Sequence, residues 1–120
     1  MADFIIINMM KNLKTGVIGV GSMGQNHARI YSEISDLIAV ADPNEEQGRK
    51  VAEKFGIDWY SDYNQMLKLV DAVSIVVPTS FHRKVSEDVI SSGIHLLVEK
   101  PLAGNINDAE AILSASRNSK

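Results

Sequence analysis

Thr15-Gly16-Val17-Ile18-Gly19-Val20-Gly21-Ser22-Met23-Gly24 is the stretch on which the fold turns. Thr15 to Val20 is a short β-rich run that ends among glycines, and Met23, His27, Ile30, Tyr31 and Ile34 then recur at helical spacing. A strand pattern that gives way to a helical period across a few glycines reads as strand, tight turn, helix.

The same alternation repeats downstream. Leu37-Ile38-Ala39-Val40-Ala41 is a continuous apolar run of the length of a strand buried on both faces, and Asp42-Pro43 ends it. Pro43 suits a first helical turn. The stretch Glu45 to Phe55 carries acids early and bases late, as the helix dipole prefers, and Gly56 stops it. Ile57 to Tyr60 is a third short strand, after which Asp62 and Gln65 resemble a capping box for a brief helix over Tyr63 to Leu69. Ala72 to Val77 is the most β-like run in the chain and ends at Pro78. Thr79 or Ser80 is expected to cap a helix that continues to about Ile90 and closes at Gly93. Ile94 to Val98 is the fifth strand, Glu99-Lys100-Pro101 breaks it, and Asn107 with Glu110 is placed to cap a last helix through Leu113.

Strands that alternate with helices through short connections predict an α/β fold with a doubly wound parallel sheet, because each right-handed parallel crossover takes a helix. The expected strand order is 3-2-1-4-5, with a ligand crevice at the C-terminal edge between the first and fourth strands, where the winding reverses. Residues 14–120 form this domain and residues 1–13 an N-terminal extension. Within the extension, Phe4-Ile5-Ile6-Ile7 has the composition of a strand but no place in the pattern.

Composition narrows the function. With 120 residues and 45 % hydrophobic content there is room for one ordinary domain with one core. The formal net charge is −3 and no Lys/Arg cluster tracks phosphates, so nucleic acid is not an expected partner. The absence of cysteine removes disulfides, thiolate metal sites and a Cys nucleophile, and it suits a cytoplasmic location. The apolar run at Phe4 follows an acid and is too short for a signal peptide, and no window approaches the ~20 apolar residues of a membrane span. His27, His82 and His95 are too scattered for a recognisable metal site, so no metal is expected.

Gly19-Val20-Gly21-Ser22-Met23-Gly24 has the form of a phosphate cradle. Such a cradle needs backbone N–H groups free of side chains at a helix N-terminus, whose partial positive charge favours an anion. Gly19 would make the tight turn, Gly21 would let a pyrophosphate approach the main chain, and Gly24 would let the helix sit close to the strand. Three glycines can also merely turn a corner, so the context matters. Asp42 ends the second strand at close to the ~20-residue separation that a dinucleotide fingerprint expects. A carboxylate there accepts both hydroxyls of an adenosine ribose and repels a 2′-phosphate, which favours NAD over NADP. Asp42 also sits where a helix N-cap is wanted, and the two roles are compatible. Arg49 lies too far into the helix to argue for a 2′-phosphate site. S-adenosylmethionine enzymes share a glycine loop and a strand-2 acid, but their loop has an acid just before the glycines, where this chain has Val17-Ile18.

In order along the chain, the glycine loop, Ala41-Asp42-Pro43, Pro78-Thr79-Ser80-Phe81-His82 and Glu99-Lys100-Pro101 resemble the glucose–fructose oxidoreductase / inositol dehydrogenase / MocA family. The resemblance runs from Lys14 to the C-terminus, and Glu-Lys-Pro is its most specific element. It implies a Rossmann domain for NAD and hydride transfer between nicotinamide and a hydroxyl-bearing carbon, often of a sugar or cyclitol. Gly19, Gly21, Ser22, Met23, Gly24 and Asp42 then belong to the cofactor site, as do Pro78, Thr79, His82, Glu99 and Lys100. The lysine of the motif maps to Lys100 and would stabilise negative charge on the substrate oxygen. Read without the resemblance, Lys100 is an exposed lysine after a strand and His82 a first-turn helix residue. The family continues into a C-terminal α+β domain that binds substrate, with usually a catalytic histidine. The expectation is therefore that these residues are a truncated or partial form of such an enzyme or that another chain supplies the substrate domain, that the chain self-associates or binds a partner chain, and that in isolation it is inactive. The competing reading is a non-catalytic dinucleotide-binding or regulatory module.

Overall fold

The computed structural model describes residues 12–98. The segment at Phe4, the Glu99-Lys100-Pro101 turn and the helix through Leu113 lie outside them. The elements are β1 (Lys14–Ile18), α1 (Ser22–Ile34), β2 (Asp36–Ala41), α2 (Glu45–Phe55), β3 (Asp58–Tyr60), α3 (Tyr63–Leu67), β4 (Ala72–Ile75), α4 (His82–Ser91) and β5 (His95–Val98). The sheet order is β3-β2-β1-β4-β5, as expected, and every pairing is parallel.

Two apolar layers sandwich the sheet. On one side Val17, Val20, Leu37 and Val40 pack with Ala28 of α1 and with Val51 and Ala52 of α2. On the other, Ile18, Ala39, Ala41, Val73 and Ile75 pack with Met66 and Leu67 of α3 and with Val85 and Val89 of α4. Both faces are covered, which is why β1, β2 and β4 read as continuous apolar runs. β2 carries one irregularity: Thr15 pairs with Leu37 but Gly16 pairs with Ala39, leaving Ile38 as an extra residue. The bulge switches the alternation, so Leu37 faces α1 and α2 while Ala39 and Ala41 face the opposite layer. It therefore sets the face on which the residues at the end of β2 emerge.

Ser74 breaks the apolar run of β4 because it faces α1. It is fully buried, and its Oγ lies 2.8 Å from His27 Nδ1 and 2.6 Å from the Tyr31 hydroxyl. His27 and Tyr31 stand one turn apart on α1, so a single small hydroxyl serves two helix side chains and locks the rotation of α1 over β1 and β4.

The helix ends depart from the sequence expectations in three places. Asn44, not Asp42, caps α2, accepting from Gln47 N–H at 3.1 Å, and Pro43 precedes the helix instead of opening it. Neither Thr79 nor Ser80 caps α4. Both lie in a 3-10 turn over Thr79–Phe81, and Phe81 takes the cap position without a side-chain hydrogen bond. The cause is the Pro78 carbonyl, which receives Phe81 N–H at 2.8 Å and starts the tight turn. Asp62 does cap α3, accepting from Asn64 N–H at 2.9 Å, but α3 ends at Leu67 and not Leu69.

The relative weight of packing and polar bonding in this core can be measured. Ile75 is completely buried, so Ile75→Ala is expected to cost about 2–5 kcal/mol through lost transfer and cavity terms. Ser74→Ala is expected to cost about 1 kcal/mol, because the half-buried His27 and Tyr31 can turn to water. Urea unfolding of both variants tests the order; an equal or larger loss for Ser74→Ala would make the polar seam the dominant tie.

Candidate functional site

The glycine turn sits where the C-terminal ends of β1, β2 and β4 converge. Gly19 has φ +92°, a conformation that disfavours side chains, and its N–H donates to the Ala41 carbonyl at 2.8 Å. A Cβ at Gly19 would lie 2.2 Å from the Val76 carbonyl oxygen, so the turn is pressed against both neighbouring strands. A Cβ on Gly24 would lie 1.9 Å from the Gly19 carbonyl oxygen, because the first turn of α1 crosses directly over the loop that feeds it. Gly21 is different: it is exposed, and a Cβ there would meet nothing within 4 Å. Gly21 is also the N-cap of α1, with no side-chain cap and no acid in the first turn. Ser22 and Met23 follow it, both exposed. The helix therefore offers uncapped amides and the positive end of its dipole to the open side of the loop, an arrangement suited to an anion.

Asp42 lies beside this turn and is tied down at four points. One carboxylate oxygen accepts from Val20 N–H at 2.9 Å and the other from Asn44 N–H at 2.9 Å. Its own N–H donates to the Tyr60 carbonyl at 3.0 Å, and its carbonyl accepts from Trp59 Nε1 at 3.0 Å. The half-buried carboxylate keeps a free lone pair on each oxygen. The Val20 carbonyl in turn accepts from Gln25 Nε2 at 3.2 Å and Gln47 Nε2 at 3.0 Å. The backbone N–H and carbonyl of Val20 are thus both held by side chains, from Asp42, α1 and α2. The two glutamines were not foreseen, because a helical glutamine has no sequence signal that separates it from a solvated one.

A cleft of about 630 Å³ opens at this edge of the sheet, with Gly19, Gly21, Asp42 and Pro78 on its walls. These four expected site residues meet. Ser22, Met23, Gly24 and Thr79 do not line the cleft. His82 does not either: it is buried, and its Nε2 lies 2.9 Å from the Val77 carbonyl, where it supports the turn after β4. Glu99 and Lys100 lie outside the described residues.

Tyr63, Phe81 and Lys84 also line the cleft and were not anticipated. The Tyr63 hydroxyl donates to the Asp88 carboxylate, and Lys84 Nζ lies 3.1 Å from the other Asp88 oxygen, so α3 is tied to α4 across the cleft wall. Burial, with Asp88 beside it, holds the Tyr63 hydroxyl well above the ordinary tyrosine range, so it stays a donor. Phe81 is 57 % exposed and presents an apolar face at the cleft mouth. The expected strand order was the available clue, since loops after the strands flanking a switch point line any ligand bound there.

Residues 13–120 match the family profile described as oxidoreductase family, NAD-binding Rossmann fold. The chain belongs to the glucose–fructose oxidoreductase / inositol dehydrogenase / MocA family. It is 40 % identical over 108 residues to UDP-N-acetylglucosamine 3-dehydrogenase of Acidithiobacillus ferrooxidans, an alignment covering 90 % of this chain and 34 % of the relative. The crystal form of that enzyme superposes with a TM-score of 0.87, covering 90 % of this chain and 36 % of the other. Myo-inositol 2-dehydrogenase of Thermotoga maritima is 30 % identical, over 88 % of this chain and 33 % of its own length. Levoglucosan dehydrogenase, solved with NADH and L-sorbose, superposes with a TM-score of 0.81 at 26 % identity, over 90 % of this chain and 32 % of that one. The chain thus spans about a third of the length of the relatives it matches. It carries the family's NAD-binding Rossmann fold, and among the described residues no helix is long and apolar enough to cross a membrane.

The glycine geometry separates two variants. Gly24→Val is expected to lower the melting temperature sharply, because its Cβ overlaps the Gly19 carbonyl, whereas Gly21→Val is expected to leave it nearly unchanged. Thermal unfolding by circular dichroism tests this; equal losses would mean that α1 does not cross the loop as closely as described.

Proposed function

We propose that the chain binds NAD(H) across the switch point between β1 and β4 and serves as the cofactor-binding part of a dehydrogenase acting on a hydroxyl carbon of a sugar or cyclitol. The observation that carries this reading is the Asp42 carboxylate, held at the cleft edge by the Val20 and Asn44 amides with acceptor capacity to spare. An adenosine ribose offers two hydroxyl donors to such a group. A 2′-phosphate would bring a second anion against it. Arg49, the nearest base along α2, is already engaged: its Nε lies 2.7 Å from Glu45, and its guanidinium stacks 4.9 Å from the centre of the Trp59 ring.

The other cleft residues divide the remaining work. Gly19 and Gly21 leave the pyrophosphate room at the N-terminus of α1, flanked by Ser22 and Met23, and Gly24 lets that helix approach. Pro78 and Thr79 shape the turn after β4, and His82 braces it through Val77. When bound, nicotinamide supplies the hydride acceptor or donor. Lys100, through its resemblance to the family lysine, is the group we assign to hold negative charge on the reacting oxygen, with Glu99 orienting the cofactor beside it. The relatives named above include a UDP-N-acetylglucosamine dehydrogenase and a myo-inositol dehydrogenase, which supports a sugar or cyclitol as the substrate class. Substrate contacts outside this domain come from further sequence or from another chain, so residues 1–120 alone are expected to bind NAD without turning over polyols.

Three measurements follow. Calorimetric titration is expected to show NAD(H) binding more tightly than NADP(H), with Asp42→Ala reducing that preference; equal or tighter NADP(H) binding by the unaltered chain would overturn the role of Asp42. Gly21→Val is expected to abolish NAD binding while keeping the fold, and normal binding would remove the loop from the site. In an enzyme that includes the substrate-binding residues, Lys100→Ala is expected to cut turnover by orders of magnitude with little change in NAD affinity. Unchanged turnover would leave Lys100 a surface lysine.

A further inference from the structure

Gly48 is the one glycine inside α2, a position where alanine would favour the helix. Its neighbour explains it. A Cβ on Gly48 would lie 2.1 Å from both Cδ1 and Nε1 of Trp59, so the indole of β3 lies directly on the helix backbone at that notch. The ring is held there by the Arg49 guanidinium 4.9 Å from its centre. From this seat Nε1 donates to the Asp42 carbonyl at 3.0 Å. Trp59 is not part of the cleft wall. It lines a separate hollow on the outer side of β3, with Arg49 and Tyr60.

We propose that Trp59, seated over Gly48, is a positioning residue that fixes the backbone of Asp42 and so aims its carboxylate at the adenosine ribose. The proposal rests on the reading of Asp42 as the ribose ligand. Asp42 follows the last residue of β2, where sheet pairing is running out: its N–H still reaches Tyr60, but its carbonyl is beyond the paired residues. Asn44, just beyond, already belongs to the next helix as its cap. The Asp42 carbonyl therefore depends on a side chain, and Trp59 supplies one that is rigid, seated and already desolvated on one face. Fixing the carbonyl fixes the peptide plane, and with it the direction from which the carboxylate meets Val20 N–H and a ligand.

A double-mutant cycle in the full chain tests this, with NAD and NADP titrated by calorimetry. Trp59→Phe keeps an aromatic ring, though a smaller one, and removes the N–H, and is expected to weaken NAD about fivefold, the size of one net hydrogen bond. It is also expected to lower the NAD to NADP preference. In an Asp42→Ala background the same change should have almost no effect, since there is no carboxylate left to aim. Weakening of equal size in both backgrounds, or none in either, would overturn the proposal. If Asp42→Ala alone leaves NAD binding unchanged, the ribose assignment has failed, and the proposal falls with it for a different and recognisable reason.

Trp59 is the sole tryptophan, so its indole N–H gives one signal in a nitrogen-15 correlation spectrum and needs no substitution. That signal is expected to be protected from exchange and to shift on NAD addition, with the shift absent in Asp42→Ala. Rapid exchange, or no shift at saturating NAD, would contradict the coupling even where Trp59→Phe proves too unstable to titrate. Gly48→Ala gives a further check: its Cβ would lie where the indole sits, so it is expected to displace Trp59 and weaken NAD binding, and unchanged NAD binding would contradict the seat.

Discussion

The hydrogen bond from Val20 N–H to the Asp42 carboxylate, 2.9 Å long, is the constraint on which the site depends. It joins the glycine turn after β1 to the end of β2, so the loop proposed to hold the pyrophosphate and the acid proposed to hold the ribose are parts of one rigid unit. The rest of the neighbourhood serves that unit. Gly19 N–H holds the turn to Ala41, Gln25 and Gln47 hold the Val20 carbonyl, and β3 grips the Asp42 backbone on both sides. A loop organised in this way loses little further entropy when a ligand arrives, which is how preorganised sites convert contacts into affinity.

The sheet makes this arrangement possible. Covering both faces with helices removes β1, β2 and β4 from water and leaves only their C-terminal ends to carry polar function. The bulge at Ile38 matters here, because without the extra residue every side chain beyond it would swap faces. The glycines are required on the same grounds: the turn is so close to Val76 and to α1 that side chains at Gly19 or Gly24 would occupy space already filled by backbone.

The strand order, the elements through β5 and the glycine–acid pairing were legible in the sequence because each has a local signature. Apolar runs, glycines at fixed offsets and an acid closing a strand survive in a one-dimensional reading. What was not legible depends on tertiary geometry. By position Asp42 suits a helix cap, since it stands next to a helix start; in the structure Asn44 takes that role while Asp42 turns back to Val20. Thr79 and Ser80 look like caps by type, but the Pro78 carbonyl starts a tight turn before either can act as one. The burial of His82, with its Nε2 against the Val77 carbonyl, likewise has no local signature. Trp59 and Gly48 carry no motif at all, and their relation exists only because β3 lies across α2.

The most direct test of the account is a crystal structure of the chain with NAD. It predicts a pyrophosphate against the Gly21 side of the loop and both adenosine ribose hydroxyls within hydrogen-bond distance of the Asp42 carboxylate, with the Val20 to Asp42 bond intact. NAD bound with its ribose away from Asp42, or a carboxylate that releases Val20 to reach the ligand, would contradict it.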